Sequence, residues 1–283
     1  MTLELTPEEV ERGYNNRAAV LDHPRWLAHY PLASAATRAR LLPQVDLRYG
    51  TGQKETLDLF LPASPARGTF VFWHGGYWRA FDKSDFSFVA LPFVAQGYAV
   101  AVINYDLCPD VSIATIVDES RRATAWLARE GRAHGANPER MVAGGHSAGG
   151  HIVAMLFATD WEAYGLSGDP LVGGLSLSGV HDLSPLVHFS YNSDLRLDDA
   201  TAARLSPSNL SPRSRAPLLL AAGADETSEF VRQTHLLWDA WPHNRPKDAR
   251  APTLIRERNH FDVVVDLSDA TSEVTRATLA LFG

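Results

Sequence analysis

The chain has 283 residues, 45% of them hydrophobic and 21% charged, an ordinary globular balance with apolar material for one large core. Its 26 Lys and Arg against 33 Asp and Glu leave a net charge of −7 with no basic run, which argues against nucleic acid and anionic membrane surfaces as partners. No stretch reaches the ~18 successive apolar residues of a membrane span. The acidic opening MTLELTPEEVERGY is unlike a secretory signal, and the single Cys108 cannot form an internal disulfide, so a soluble cytoplasmic protein is expected.

In chain order, residues 1–43 read as an N-terminal helical extension. The stretch 6–30 is helical in character and broken by Pro24 and Pro31, and its Tyr14, Trp26 and Tyr30 need a surface to pack on. Two runs of strand composition follow, 45–49 and 57–61, and suggest an opening antiparallel pair. From Thr69 onward, short apolar runs alternate with helical stretches: TFVFW, a helix over 84–96, YAVAVIN, and a helix over 113–129. Runs apolar on both faces and separated by helices specify a parallel sheet covered on both sides. In the second helix Ile113, Ile116, Val117, Ser120, Ala123, Thr124 and Leu127 share one face at three- and four-residue spacing.

The rhythm continues through RMVAGG, a helix over 149–158, GGLSLSG, PLLLAAG, a helix over 229–241, PTLIRE and a last helix. Residues 180–215, rich in Ser, Asp, Leu and Pro, are too long for a simple connection and read as a cap-like insertion over a site. The expected architecture is a single α/β domain with a mostly parallel central sheet and helices on both faces.

Gly145-His146-Ser147-Ala148-Gly149 matches G-x-S-x-G between an apolar strand and a helix. That context raises a serine on a sharp strand-to-helix turn, where small flanking residues avoid clashes and the helix N-terminus favours developing negative charge. His74-Gly75-Gly76-Tyr77-Trp78 follows TFVFW, the place for an oxyanion loop, and Gly75, Gly76, Tyr77 and Ala148 are its candidate N–H donors. His74 fits a strand-end histidine bonded to nearby backbone better than a base.

An acid is expected after a late strand, and Asp225 follows PLLLAAG, with Glu226 and Glu229 as substitutes if the register differs. His260, after PTLIRE, stands where the base belongs. The order Ser147, Asp225, His260 is that of the α/β-hydrolase fold, in which the histidine deprotonates the serine and the acid fixes its tautomer. Trp78, His146, His151, Phe189 and Tyr191 are candidates to contact a flat substrate, and Phe81 is a further aromatic near the motifs. Cys108 suits a small buried residue better than a reactive thiol.

With HGGYW, GHSAGGH, GADETSEFVRQT and RNHFD in place, the chain resembles the serine-dependent kynurenine formamidases (arylformamidases) of the α/β-hydrolase fold from about Tyr49 to its end. The resemblance implies hydrolysis of a small aryl formamide such as N-formylkynurenine, with the triad at Ser147, Asp225 and His260 and the oxyanion loop at Gly75, Gly76 and Tyr77. It implies no cofactor and no metal, a small-molecule substrate as partner, and leaves room for a homodimer. A carboxylesterase acting on small acyl or aryl esters would use the same residues, so the likeness speaks more strongly for mechanism than for substrate.

Overall fold

The structure is a computed structural model and describes residues 5–283. Its centre is an eight-stranded sheet of β1 (Gln44–Arg48), β2 (Thr56–Phe60), β3 (Thr69–Trp73), β4 (Ala99–Ile103), β5 (Met141–His146), β6 (Leu171–Leu177), β7 (Leu218–Gly223) and β8 (Thr253–Ile255), in the order β1-β2-β4-β3-β5-β6-β7-β8. β2 pairs antiparallel with β1 and β4, and the remaining pairings are parallel. This is the sheet of an α/β-hydrolase.

Three helices, α1 (Pro7–Tyr14), α2 (Asn16–Ala19) and α3 (His23–Leu41), precede the sheet. α4 (Ala90–Ala95), α5 (Ile113–Glu130) and α6 (Ala148–Phe157) connect its middle strands. α7 (Asn192–Leu195) and α8 (Asp199–Arg204) lie between β6 and β7, and α9 (Ser228–Ala240) and α10 (Glu273–Ala280) follow.

The inner strands are buried along their whole length, as their unbroken apolar composition requires. Strand alternation sends Phe70 and Phe72 into one core with Val100, Val102 and Val142. It sends Val71 and Trp73 into the other, with Ala101, Ile103 and Ala143. α5 starts where the Ser112 hydroxyl accepts the Thr115 N–H, and it buries the face read from its spacing, Ile113 to Leu127.

Two local expectations fail. α3 runs through Pro31 to Leu41. Its packing outweighs the lost backbone bond: Tyr30 is 2% exposed, and the Ser34 hydroxyl donates to the Asp85 carbonyl at 2.7 Å. The stretch read as one helix over 84–96 is a 3-10 segment, Lys83–Val89, leading into the short α4. Pro92 lies in the first turn of α4, where a missing N–H costs nothing.

The N-terminal extension is anchored by Tyr14. Its hydroxyl donates to Glu229 Oε2 at 3.0 Å and accepts from Gln233 Nε2 at 2.7 Å, both on α9. The Tyr77 hydroxyl donates to the Tyr14 carbonyl at 2.5 Å. The insertion is tied to the same helix, because Gln233 Oε1 accepts the N–H groups of His181 and Asp182. Both peripheral segments therefore converge on one rim of the sheet.

Candidate active site

Ser147 stands between β5 and α6 with φ 57° and ψ −116°, a strained conformation that the flanking packing enforces. A Cβ on Gly145 would lie 2.2 Å from the Gly149 carbonyl oxygen, and one on Gly149 would lie 2.0 Å from that of Trp73. Only glycine fits at either position, so the sequence G-H-S-A-G follows from the steric demands of the turn. The Ser147 N–H donates to the Leu177 carbonyl at 2.8 Å, fixing the turn to β6.

His260 leaves the loop after β8 and meets Ser147 across 113 residues of sequence. The Ser147 hydroxyl donates to His260 Nε2 at 3.0 Å. The loop is shaped by Asn259, whose side-chain oxygen accepts the Phe261 N–H at 2.8 Å, and by the Tyr30 hydroxyl, which donates to the Phe261 carbonyl at 2.5 Å. Phe230 packs on the imidazole at 4.3 Å between ring centres.

The carboxylate facing His260 belongs to Glu226, not to Asp225. His260 Nδ1 donates to Glu226 Oε2 at 2.6 Å, and the Glu226 side chain is wholly buried. Beyond β7 the backbone turns so that Ala224 and Asp225 are exposed while their N–H groups pair with Ile255 and Arg258. The next residue points back inward, and the extra methylene of glutamate spans the gap. Glu226 Oε1 accepts the Gly223 N–H at 2.8 Å and the Ser178 hydroxyl. Ser178 itself sits at φ 53° at the end of β6. Sequence reading missed this holder of the acid, and no spacing signal marks it. Glu229, the other substitute, instead pairs with Tyr14 and Arg232 away from the histidine.

With Nδ1–H committed to a carboxylate, Nε2 is left as the acceptor for the serine proton, the tautomer a general base needs. Opposite it lies the loop after β3. Gly76 has φ 106°, and Tyr77 and Trp78 have φ 51° and 55°. A Cβ on Gly75 would come 3.1 Å from that of Ser147, so glycine is what lets this backbone approach the nucleophile. Among the described residues no backbone carbonyl accepts the N–H of Gly76, Tyr77 or Ala148. These are donors of the kind an oxyanion requires.

His74 is fully buried, bonds the Gly75 carbonyl at 2.8 Å, and stacks on Tyr105 at 4.3 Å. Burial lowers its pKa to about 4, and its place is beneath the loop rather than at the serine. Cys108 is buried too, and burial pushes its thiol up to about 12.

Ser147, His260 and the loop after β3 open into one cleft. Of the residues expected to contact substrate, His146 and Tyr191 line it. His146 packs on His260 at 4.8 Å with Nε2 unpartnered. Burial, reinforced by His260, holds its ring well below the usual histidine range.

Trp78, His151 and Phe189 do not line the cleft. Trp78 is fully buried and meets the edge of His151 at 5.0 Å. His151 Nε2 bonds the Leu205 carbonyl at 2.8 Å, and burial lowers its pKa to about 4. Phe189 fills the space between Tyr14, Tyr77 and Tyr191. All three are buried, Trp78 and Phe189 among other aromatic rings and His151 on its hydrogen bond to Leu205. The cleft is lined instead by Tyr30, Phe81, Phe86 and Phe261, with Asn16 and Arg17 from the extension. Phe81 lies close to the HGGYW motif in sequence, whereas α2 and Tyr30 reach the site only through tertiary packing.

Residues 57–169 match the BD-FAE family. Kynurenine formamidase from Salmo salar is 28% identical over 263 residues, covering 89% of this chain and 87% of that protein. The enzyme of the same name from Danio rerio is 28% identical over 261 residues, again covering 89% and 87%. A solved structure from Silicibacter sp., described as a proposed thioesterase, superimposes with a TM-score of 0.84 at 30% identity, covering 96% of this chain and 99% of its own. The strained serine elbow, the histidine bridging serine to carboxylate, and likeness along nearly the whole length agree: the chain belongs to the α/β-hydrolase family, as a kynurenine formamidase-like member.

Proposed function

We propose that this protein hydrolyses small aryl formamides of the N-formylkynurenine type, releasing formate and the aryl amine. The observation that carries the reading is the unbroken hydrogen-bonded chain from Ser147 through His260 to Glu226, facing a cleft walled by Tyr30, Tyr77, Phe81, Phe86 and Tyr191. Likeness to the kynurenine formamidases over most of both chains supports it.

As Ser147 Oγ attacks the formyl carbon, its proton passes to His260 Nε2, and Glu226 stabilises the imidazolium. The carbonyl oxygen becomes an oxyanion held by the N–H groups of Gly76, Tyr77 and Ala148. Collapse breaks the C–N bond, with the His260 proton passing to the departing nitrogen, and leaves a formyl ester on Ser147. A water, deprotonated by His260, attacks that ester, and formate leaves as the proton returns to Ser147. Every step uses groups of this chain, and no cofactor is called on. Tyr77 is pinned by its hydrogen bond to the Tyr14 carbonyl, so its ring narrows the acyl side, which favours a one-carbon acyl group over long chains.

Esterase action on small aryl esters follows from the same machinery as a related activity. The test is kcat/KM for N-formylkynurenine beside p-nitrophenyl acetate and butyrate. A clear preference for the formamide, with butyrate poorest, is expected. Negligible formamide turnover beside brisk ester cleavage would make this a carboxylesterase. Among the described residues no helix is long and apolar enough to cross a membrane, and we place the enzyme in the cytoplasm on its acidic balance and single cysteine.

A further inference from the structure

Two asparagines stand side by side at the start of α2, and the fold uses only one of them. Asn15 is fully employed: its Oδ1 accepts the Ala18 N–H at 3.1 Å, and its Nδ2 donates to Glu11 Oε1 at 2.6 Å. Asn16 is 4% exposed, lines the catalytic cleft, and has no partner for either Oδ1 or Nδ2. A buried carboxamide with neither bond made is costly in a native protein unless something entering the cavity completes it. Nothing in the helix needs Asn16, since Asn15 already supplies the cap.

The charge of the cleft points to what enters. Its lining carries Arg17, the neighbour of Asn16, and Arg79, and no Asp or Glu among the described residues. Arg79 is already held by Asp194 at 2.6 Å and lies over the Tyr191 ring at 4.4 Å. Arg17 is exposed at the mouth. A carboxamide offers one acceptor and one donor site, and a guanidinium beside it adds an anion-binding fork. The group that matches all three on a single carbon is an α-amino acid, whose ammonium suits Oδ1 and whose carboxylate suits Nδ2 and the guanidinium.

We propose that Asn16 and Arg17 form a recognition subsite for an α-amino-acid group borne by the aryl substrate. The inference deepens the formamidase reading and rests on it for the ring and the scissile bond. The division of labour follows the fold: the sheet carries the bond-breaking groups, and the extension, moored through Tyr14 to α9 and to Tyr77, carries the group that selects.

The test uses inhibition of p-nitrophenyl acetate hydrolysis by kynurenine, which has the amino-acid group, and by 2-aminoacetophenone, which lacks it. Wild-type protein should bind kynurenine at least about tenfold more tightly, as a site built to hydrogen-bond a group discriminates against its absence. Asn16→Ala should shrink that advantage at least about fivefold, and Arg17→Gln should shrink it less. Asn16→Asp keeps the shape, places a carboxylate against the ligand's own, and repeats the test should the alanine variant fold poorly. Calorimetric titration of both ligands reads the same ratio without turnover. Equal binding of the two ligands by the wild type, or an advantage unchanged in Asn16→Ala and Asn16→Asp, would overturn the subsite. Because neither readout needs formamide cleavage, failure to hydrolyse N-formylkynurenine would sink the formamidase reading separately.

Discussion

Around Ser147 the packing leaves no choice of residue at Gly145 and Gly149, whereas around Glu226 two adjacent carboxylates compete for one histidine. At the serine, a Cβ on either glycine would collide with a backbone oxygen, at 2.2 Å for Gly145 and 2.0 Å for Gly149, so the turn writes itself into the sequence as a motif. At the acid, Asp225 and Glu226 are chemically alike, and the direction of the chain after β7 decides which one faces inward. A site constrained by backbone sterics is legible one residue at a time. A site constrained only by side-chain reach is not.

The largest effect expected from either turn lies at the nucleophile. Ser147→Ala should lower turnover of any good substrate at least about a thousandfold, the scale of triad serine removal. Circular dichroism should show the fold intact, since alanine only deletes the hydroxyl. Activity near the wild-type level would end the serine mechanism.

Next comes the choice between the two carboxylates. Glu226→Gln should reduce kcat by about a hundredfold or more, because an amide facing Nδ1 neither selects the reactive tautomer nor stabilises the imidazolium. Asp225→Asn should stay within about twofold, its side chain being in solvent. The opposite pattern would return the role to Asp225.

The smallest effect separates holding the acid from being the acid. Ser178→Ala removes one of two donors to Glu226 Oε1 and leaves the Gly223 N–H in place. About a tenfold loss in kcat with little change in KM is expected, corresponding to ~1.4 kcal/mol for one bond to a charged group. A loss as large as that of Glu226→Gln would mean that the serine, rather than the turn itself, sets the position of the carboxylate.

The amino-acid sequence by itself determined the alternation of strands and helices, because runs such as TFVFW and AVAVI are apolar on both faces and only a covered parallel sheet hides both. It also marked Ser147, through the glycines its turn requires, and pointed to His260 and to Gly75 and Gly76 as candidates by their places after strands. Tertiary structure alone decided that Glu226 rather than Asp225 faces His260 and that Pro31 lies inside a helix. It also decided that Trp78, His151 and Phe189 do not line the cleft while Asn16 and Arg17 do. The reason is common to all of these. Periodicity and motif report what a residue does to its own turn of chain, whereas lining a cavity depends on contacts between segments such as Tyr14 and Gln233, 219 residues apart, which leave no local signature.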